Sequence, residues 1–145
     1  MPCPRGIPRP RAGGLCPSVE PYRPVVSPSS AKSDAVSATI EALDTAQLPD
    51  RALLRDAVRV LLAELRRKAP GRSVEVRVPP FGAIQCVEGP THTRGIPPNV
   101  VETDPITFVL LATGRLAWAD AIRDGRVAAS GARADLSRYL PCWPT

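Results

Sequence analysis

The sequence predicts an α+β domain, because helical and strand periodicities follow one another along a chain of 145 residues. Apolar residues recur every three or four positions before residue 70, alternate singly over 73–78, and return to helical spacing after Asp104. A chain of this length holds one ordinary domain rather than two. We therefore expect two helices, a β-hairpin, further helices, a strand and a last short helix, in that order.

The first 32 residues are predicted to form a disordered extension. Eight of the first 28 residues are proline, and no apolar periodicity accompanies them. Residues 1–32 also hold five basic residues against one glutamate, so they carry +4 of the formal net charge of +5. The remaining residues lack the concentrated basic face that nucleic-acid binding requires, and we predict no nucleic-acid partner. We interpret the extension as a segment without function, with a Pro-rich docking segment as the alternative.

Neither the start of the chain nor its interior predicts a membrane segment. "MPCPRGIPRPRAGGLCPS" contains no apolar core of a secretory signal, and the longest uninterrupted apolar run is only Phe108 to Ala112. The four cysteines, at positions 3, 16, 86 and 142, form no CxxC pair, which is typical of unpaired thiols in a reducing compartment. We therefore predict a cytoplasmic protein.

Two amphipathic helices are predicted between residues 33 and 69. In "SDAVSATIEALDTA", Val36, Ile40 and Leu43 lie at helical spacing behind Ser33, a candidate N-cap. Asp50 is the candidate N-cap of the stronger helix "RALLRDAVRVLLAELRRKA", which ends at the Pro-Gly pair that follows it. That helix presents a continuous apolar stripe made of Leu54, Val58, Leu61 and Leu65.

The remaining elements follow from a change of period after residue 71. "SVEVRV" alternates apolar and charged residues, as a half-buried strand does, and "GAIQCVE" is predicted as its antiparallel neighbour. "NVVET" and "RVAAS" are predicted as further short strands. Asp104 and Pro105 open the helix "ITFVLLAT", whose apolar residues lie all round it, which predicts burial on most sides. The helix "LAWADAIRD" follows, and Asp135 is expected to cap a last helix through Leu140.

The loop "CVEGPTHTRGIPPN" holds the single histidine and is the strongest candidate for chemistry. Cys86 as a nucleophile with His92 as its base would require a third group to orient the histidine. Cys86 falls within a predicted strand, where cysteine behaves as a small buried hydrophobe, so no catalytic residue is predicted. One histidine with one cysteine is also too few ligands for a metal site, and no cofactor is expected. His92 and Arg94 remain a candidate polar contact for a small anion.

Spaced motifs mark the segment "DPITFVLLATGRLAWADAIRDGRVAASG": Gly-Arg-Leu after one helix, Ala-Ile in the next, and Gly-Arg-Val before a strand that ends at glycine. This pattern resembles the sterol carrier protein family, the nonspecific lipid-transfer fold. The stretch from "SVEVRVPPFGAIQCVEGP" to "ARADLSRYLP" resembles its bacterial orthologue branch, found in actinobacteria, and the whole resemblance covers residues 36–141. It implies a mixed or antiparallel sheet of four or five strands, layered with helices around an apolar cavity. The domain would span residues 33–141, with a tail over 142–145.

The resemblance implies non-catalytic binding or carriage of a lipid, fatty acyl or sterol-like ligand. Two other hypotheses stay open: an accessory module of a thiol-dependent isomerase that acts with a partner chain, and a domain that forms a homodimer through the helix 105–113. Six side chains are expected to line the cavity, with an ordinary filled core as the alternative reading: Val76, Ile84, Phe108, Leu111, Trp118 and Ile122.

Overall fold

The computed structural model describes residues 28–91 and 94–144, and its fold is α+β. A helical hairpin, α1 (Pro28–Asp44) and α2 (Arg51–Lys68), precedes the strands β1 (Val74–Val78), β2 (Gly82–Cys86) and β3 (Val100–Thr103). Two short helices, α3 (Pro105–Ala112) and α4 (Trp118–Arg123), lead to β4 (Val127–Ser130). The predicted fold class is confirmed.

The four strands form one mixed sheet in the order β2-β1-β3-β4. β1 pairs antiparallel with β2 and parallel with β3, and β3 pairs antiparallel with β4. Because side chains alternate along a strand, Val74, Val76 and Val78 of β1 are buried on one face of the sheet, here called the inner face. Glu75 and Arg77 lie on the opposite, outer face.

Helix α2 is the central helix of the domain, since it packs against α1, α3 and β2. Asp50 caps it by accepting a hydrogen bond from the Ala52 N–H at 3.0 Å, as the sequence predicts. Its buried stripe joins the inner face of the sheet in one apolar cluster. Each large side chain fully buried in this way contributes roughly 1.5–3 kcal/mol to stability. The buried residues of α2 are Ala57, Val58, Leu61, Leu62 and Leu65.

Helix α3 is buried on most sides, as its composition predicts. The Asp104 carboxylate accepts a hydrogen bond from the Thr107 N–H at 3.0 Å, and Pro105 occupies the first turn. Five of the eight helical residues are buried by the chain itself. The hypothesis of a dimer formed through this helix therefore draws no support from a free apolar face.

Two predicted element boundaries are wrong. Helix α1 begins at Pro28, so residues 28–32 are helical rather than part of an extension, and Ser33 lies inside the helix instead of capping it. The predicted extension over residues 1–27 lies outside the described residues. Residues 135–140 form turns instead of a last helix, with the Tyr139 and Leu140 N–H groups both donating to the Leu136 carbonyl. Pro141 lacks the N–H that a continuing helix would need there.

The residues after Pro141 are packed against the domain, although the sequence predicts a tail from residue 142. The N–H groups of Cys142 and Trp143 both donate to the Ala112 carbonyl at 3.0 Å, at the end of α3. Cys142 is only 7% exposed. These contacts hold the end of the chain beside α3, directly after the pocket residues Leu140 and Pro141.

Candidate ligand-binding site

A pocket of about 390 Å³ lies between the end of α3, the start of α4 and the C-terminal turn. We call it the α3–α4 pocket. Most of the side chains around it are apolar, and the Ser137 hydroxyl is the one polar side chain among them. The lining residues are Leu111, Gly114, Leu116, Ala117, Trp118, Ala119, Ser137, Leu140 and Pro141.

One wall of this pocket is built by the sharp turn between α3 and α4. Gly114 ends α3 with φ +76°, a left-handed conformation that favours glycine. The N–H groups of Arg115 and Leu116 then donate to the same Leu110 carbonyl, at 2.8 and 3.2 Å, which folds the chain back across the end of α3. This turn places Leu116 and Trp118 on the pocket wall.

The opposite wall is the C-terminal segment, and α2 helps to hold it. The Lys68 ammonium donates a hydrogen bond of 2.7 Å to the Pro141 carbonyl. The Cys142 thiol lies 3.7 Å from the Leu61 carbonyl. Both contacts join residues more than 70 positions apart in sequence, so the wall exists only in the folded chain.

An ion pair lies beside the pocket and connects it to α1. The Arg115 guanidinium donates two hydrogen bonds to the two carboxylate oxygens of Asp44, at 3.0 and 2.8 Å. This paired geometry lowers the pKa of Asp44 below its usual value of 3.8. Arg115 lies between the lining residues Gly114 and Leu116, so the pair ties the end of α1 to the pocket wall.

The six predicted lining residues do not surround one described pocket. Leu111 and Trp118 line the α3–α4 pocket. Val76 and Phe108 are 1% and 2% exposed within the core. The remaining two, Ile84 on β2 and Ile122 on α4, are partly buried and 40% exposed respectively. Contact of these six residues with a ligand stays a prediction.

Sequence reasoning missed Leu116 and Leu140 as pocket residues. Both follow elements whose ends the sequence marks: Leu116 stands two residues after Gly114, and Leu140 directly precedes Pro141. Their apolar side chains do not belong to the apolar stripe of any helix. An apolar residue without such a stripe must contact another apolar surface, and this signal could have identified both as pocket residues.

Cys86 is buried at the end of β2, as its place in the predicted strand indicates. Its side chain is fully buried in the core, and burial raises the pKa of the thiol to about 11. The thiol is therefore protonated at neutral pH and is a poor nucleophile. Cys142 is in the same state, because burial raises its pKa to about 11 as well.

The loop after Cys86 connects two strands that are not neighbours in the sheet. Its described residues, 87–91 and 94–99, lie at the amino end of β1, which is placed between β2 and β3. The buried Asn99 amide donates to the Ser73 carbonyl at 2.9 Å and accepts from the Arg133 N–H at 3.0 Å. His92 lies outside the described residues, and Arg94 is exposed, with no hydrogen bond or ion pair to the described part of the chain.

Neither a metal site nor a membrane span is found in the described ranges 28–91 and 94–144. No three histidine, cysteine, aspartate or glutamate side chains there are grouped closely enough to hold a metal ion. No described helix combines the length and the apolar character needed to cross a bilayer.

Comparison with known proteins identifies the family. A family model described as "Bacterial SCP ortholog", where SCP denotes sterol carrier protein, matches residues 50–142, which is 93 of the 145 residues. No curated protein was found to match the chain. The matched range contains α2, the whole sheet, α3, α4 and all residues of the α3–α4 pocket. The chain belongs to the bacterial sterol carrier protein ortholog family.

Proposed function

We propose that this protein binds and carries an apolar or amphipathic ligand without catalysing a reaction, and that the ligand's apolar part occupies the α3–α4 pocket. Family membership supports a lipid-binding or carrier role. The observation that carries the choice of site is the wall of partly exposed apolar side chains formed by Leu116, Trp118 and Leu140. Covering these side chains with a ligand lowers the free energy, because binding removes apolar surface from water.

The volume of the pocket limits the size of the buried group. At about 390 Å³ it lies near the lower end of the roughly 300–1,000 Å³ typical of ligand pockets. One acyl chain contributes about 0.8 kcal/mol per buried methylene, so ten methylenes contribute roughly 8 kcal/mol, close to the free energy of a micromolar complex. Immobilising the chain reduces this gain. We therefore propose a single acyl chain or an apolar group of similar volume.

The proposal includes no catalysis, and the burial and protonation of the two described thiols support this. Cys86 and Cys142 are buried, and their raised pKa values keep both protonated at neutral pH. Family membership favours the carrier role over an accessory role beside a partner enzyme, so the carrier role is the function we propose.

The test is displacement of a fluorescent fatty acid, together with mass spectrometry of lipids that copurify with the chain. We expect saturable micromolar binding to the full chain. Trp118→Ala should weaken binding about tenfold or more, since truncating an aromatic wall removes well over 1.4 kcal/mol of contact. Ile96→Ala is the matched control, because Ile96 is 87% exposed in the loop over residues 87–99 and does not line the pocket. No saturable binding to the unmodified chain would refute the proposal, and equal losses in the two variants would refute the choice of site.

A further inference from the structure

A second, polar pocket of about 310 Å³ lies on the outer side of the sheet, where β3 ends and β4 begins. We call it the β3–β4 pocket. It shares no lining residue with the α3–α4 pocket. Its lining residues are Pro79, Glu102, Thr103, Asp104, Gly125, Arg126 and Ala128.

Arg126 is held in this pocket by two buried threonine hydroxyls. The Arg126 Nε–H donates to the Thr107 hydroxyl at 3.1 Å. The Thr103 hydroxyl donates to the Arg126 carbonyl at 2.9 Å. Thr107 is fully buried and Thr103 is 6% exposed. The Thr107 bond positions the guanidinium of this exposed arginine and the Thr103 bond positions its backbone, while the other four N–H groups of the guanidinium make no hydrogen bond within the described residues.

The Glu102 carboxylate lines the same pocket as Arg126 without pairing with it. Glu102 pairs with Ala128 in the register of β3 and β4, so Arg126, two residues before Ala128, occupies the diagonal position. Diagonal side chains start about 7–8 Å apart, and no ion pair joins Glu102 to Arg126 in the described chain. Ala128 and Gly125, which also line the pocket, add no charged group to it.

Two further charged side chains near the pocket have hydrogen-bond or ion-pair partners of their own. Both carboxylate oxygens of Asp104 accept hydrogen bonds from Thr107, one from its N–H and one from its hydroxyl. Arg77, which lies opposite Glu102 on β1, is paired with Glu75. The pocket therefore presents one cation, Arg126, and two carboxylates, of which Glu102 has no hydrogen bond or ion pair within the described residues.

We propose that the β3–β4 pocket binds a small zwitterion whose carboxylate and ammonium groups are separated by a short carbon chain. The carboxylate accepts hydrogen bonds from Arg126, and the ammonium donates to Glu102. A simple anion gains Arg126 but is repelled by Glu102 and Asp104, and a simple cation gains a carboxylate but leaves Arg126 unsatisfied. A molecule that carries both charges satisfies both side chains, and this proposal is independent of any ligand in the α3–α4 pocket.

The test is titration of the isotope-labelled full chain with 4-aminobutyrate, butyrate and butylammonium, followed by amide NMR shifts. We expect 4-aminobutyrate to cause saturable shifts confined to the amides of Thr103, Asp104, Gly125, Arg126 and Ala128. Butyrate and butylammonium should bind about tenfold more weakly or worse, because each leaves one charge unsatisfied.

Two variants and one control complete the test. Arg126→Gln and Glu102→Gln should each abolish the preference for 4-aminobutyrate. Arg123→Gln should leave it unchanged, since Arg123 pairs with Asp120 and Asp124 and lies outside the pocket. The same spectra report whether each variant is folded. No saturable shift with 4-aminobutyrate, equal affinity for butyrate, or unchanged preference in Glu102→Gln would overturn the proposal.

Discussion

The apolar residues of this chain form two regions that differ in how completely they are covered. In the core around α2, β1 and α3, Leu65 and Phe108 are at most 2% exposed. In the α3–α4 pocket, Leu116, Trp118 and Leu140 are only partly buried. The two regions meet at Leu111, which is 2% exposed and also lines the pocket.

This difference separates residues that stabilise the fold from residues that can bind a guest. A side chain that is already fully buried in the free protein contributes little to ligand binding. A partly buried side chain contributes more, because the ligand removes its remaining apolar surface from water. The core should therefore govern unfolding, and the pocket wall should govern affinity.

The largest expected effect on stability is at Phe108. Replacing it with alanine leaves a cavity in a sealed core, and we expect a loss of about 3–5 kcal/mol in the free energy of unfolding. Trp118→Ala removes a larger side chain that is only partly buried, so its loss should be smaller by about half or more. Urea denaturation measures both. A greater loss at Trp118 than at Phe108 would contradict the division into two regions.

Two glycines offer the next test of the comparison. Gly71 has φ +141°, and an added Cβ would lie 2.0 Å from the Val87 carbonyl oxygen, so Gly71→Ala should cost about 3 kcal/mol or more. Gly114 has φ +76°, but its added Cβ would meet only Pro141 side-chain atoms at 3.4 Å or more. Gly114→Ala should therefore cost only the backbone strain, about 1–2 kcal/mol. Thermal denaturation compares the stability losses of the two variants. Equal losses would show that the chain around Gly71 shifts to relieve the clash with the added Cβ.

The buried thiols predict a loss of stability at alkaline pH, an effect smaller than those at Phe108 and Gly71. Burial raises the pKa of Cys86 and Cys142 from 9.0 to about 11, so the folded chain keeps protons that the unfolded chain releases. Their contribution should be complete below pH 9 and should be lost as pH rises from 9 towards 11. Denaturant midpoints at pH 8 and 10.5 measure the loss. Cys86→Ala with Cys142→Ala is the control, and an equally steep fall in that variant would assign the loss to other groups.

The smallest expected effect concerns the Arg115–Asp44 pair, because exposed ion pairs contribute little. The pKa of Asp44 is lowered by Arg115, so the pair's contribution is present above pH 3.8 and is lost as pH falls below it. A double-mutant cycle with Arg115→Ala and Asp44→Ala should give a coupling near the detection limit, and added salt should remove it. A large coupling that resists salt would mean that the pair positions the pocket wall.

Prediction from sequence succeeded where the pattern is local, such as a spacing of apolar residues that repeats along one element. The stripe of α2, its Asp50 cap, the alternation of β1 and the Asp104–Pro105 start of α3 are all local patterns, and each is found in the structure. The segment over residues 135–140 failed because one cap signal is too short to decide between a helix and a turn.

The sites were harder to predict, because each is assembled from distant residues. The α3–α4 pocket joins residues 111–119 to 137–141, and Lys68 supports the second segment from α2. Apolar composition identified Leu111 and Trp118 but could not distinguish them from Phe108, which faces the filled core. The β3–β4 pocket depends on strand register, which places Arg126 diagonal to Glu102.

Contact quenching of Trp118 by a brominated fatty acid tests the central claim most directly. The chain has two tryptophans, Trp118 and Trp143, so Trp143→Phe leaves Trp118 as the single emitter. We expect its emission to fall saturably at micromolar concentrations of a dibrominated acyl chain, and to stay constant with the matching unbrominated chain. Unchanged emission while the brominated chain binds would show that the guest lies elsewhere, and unchanged emission without binding would contradict the carrier role itself.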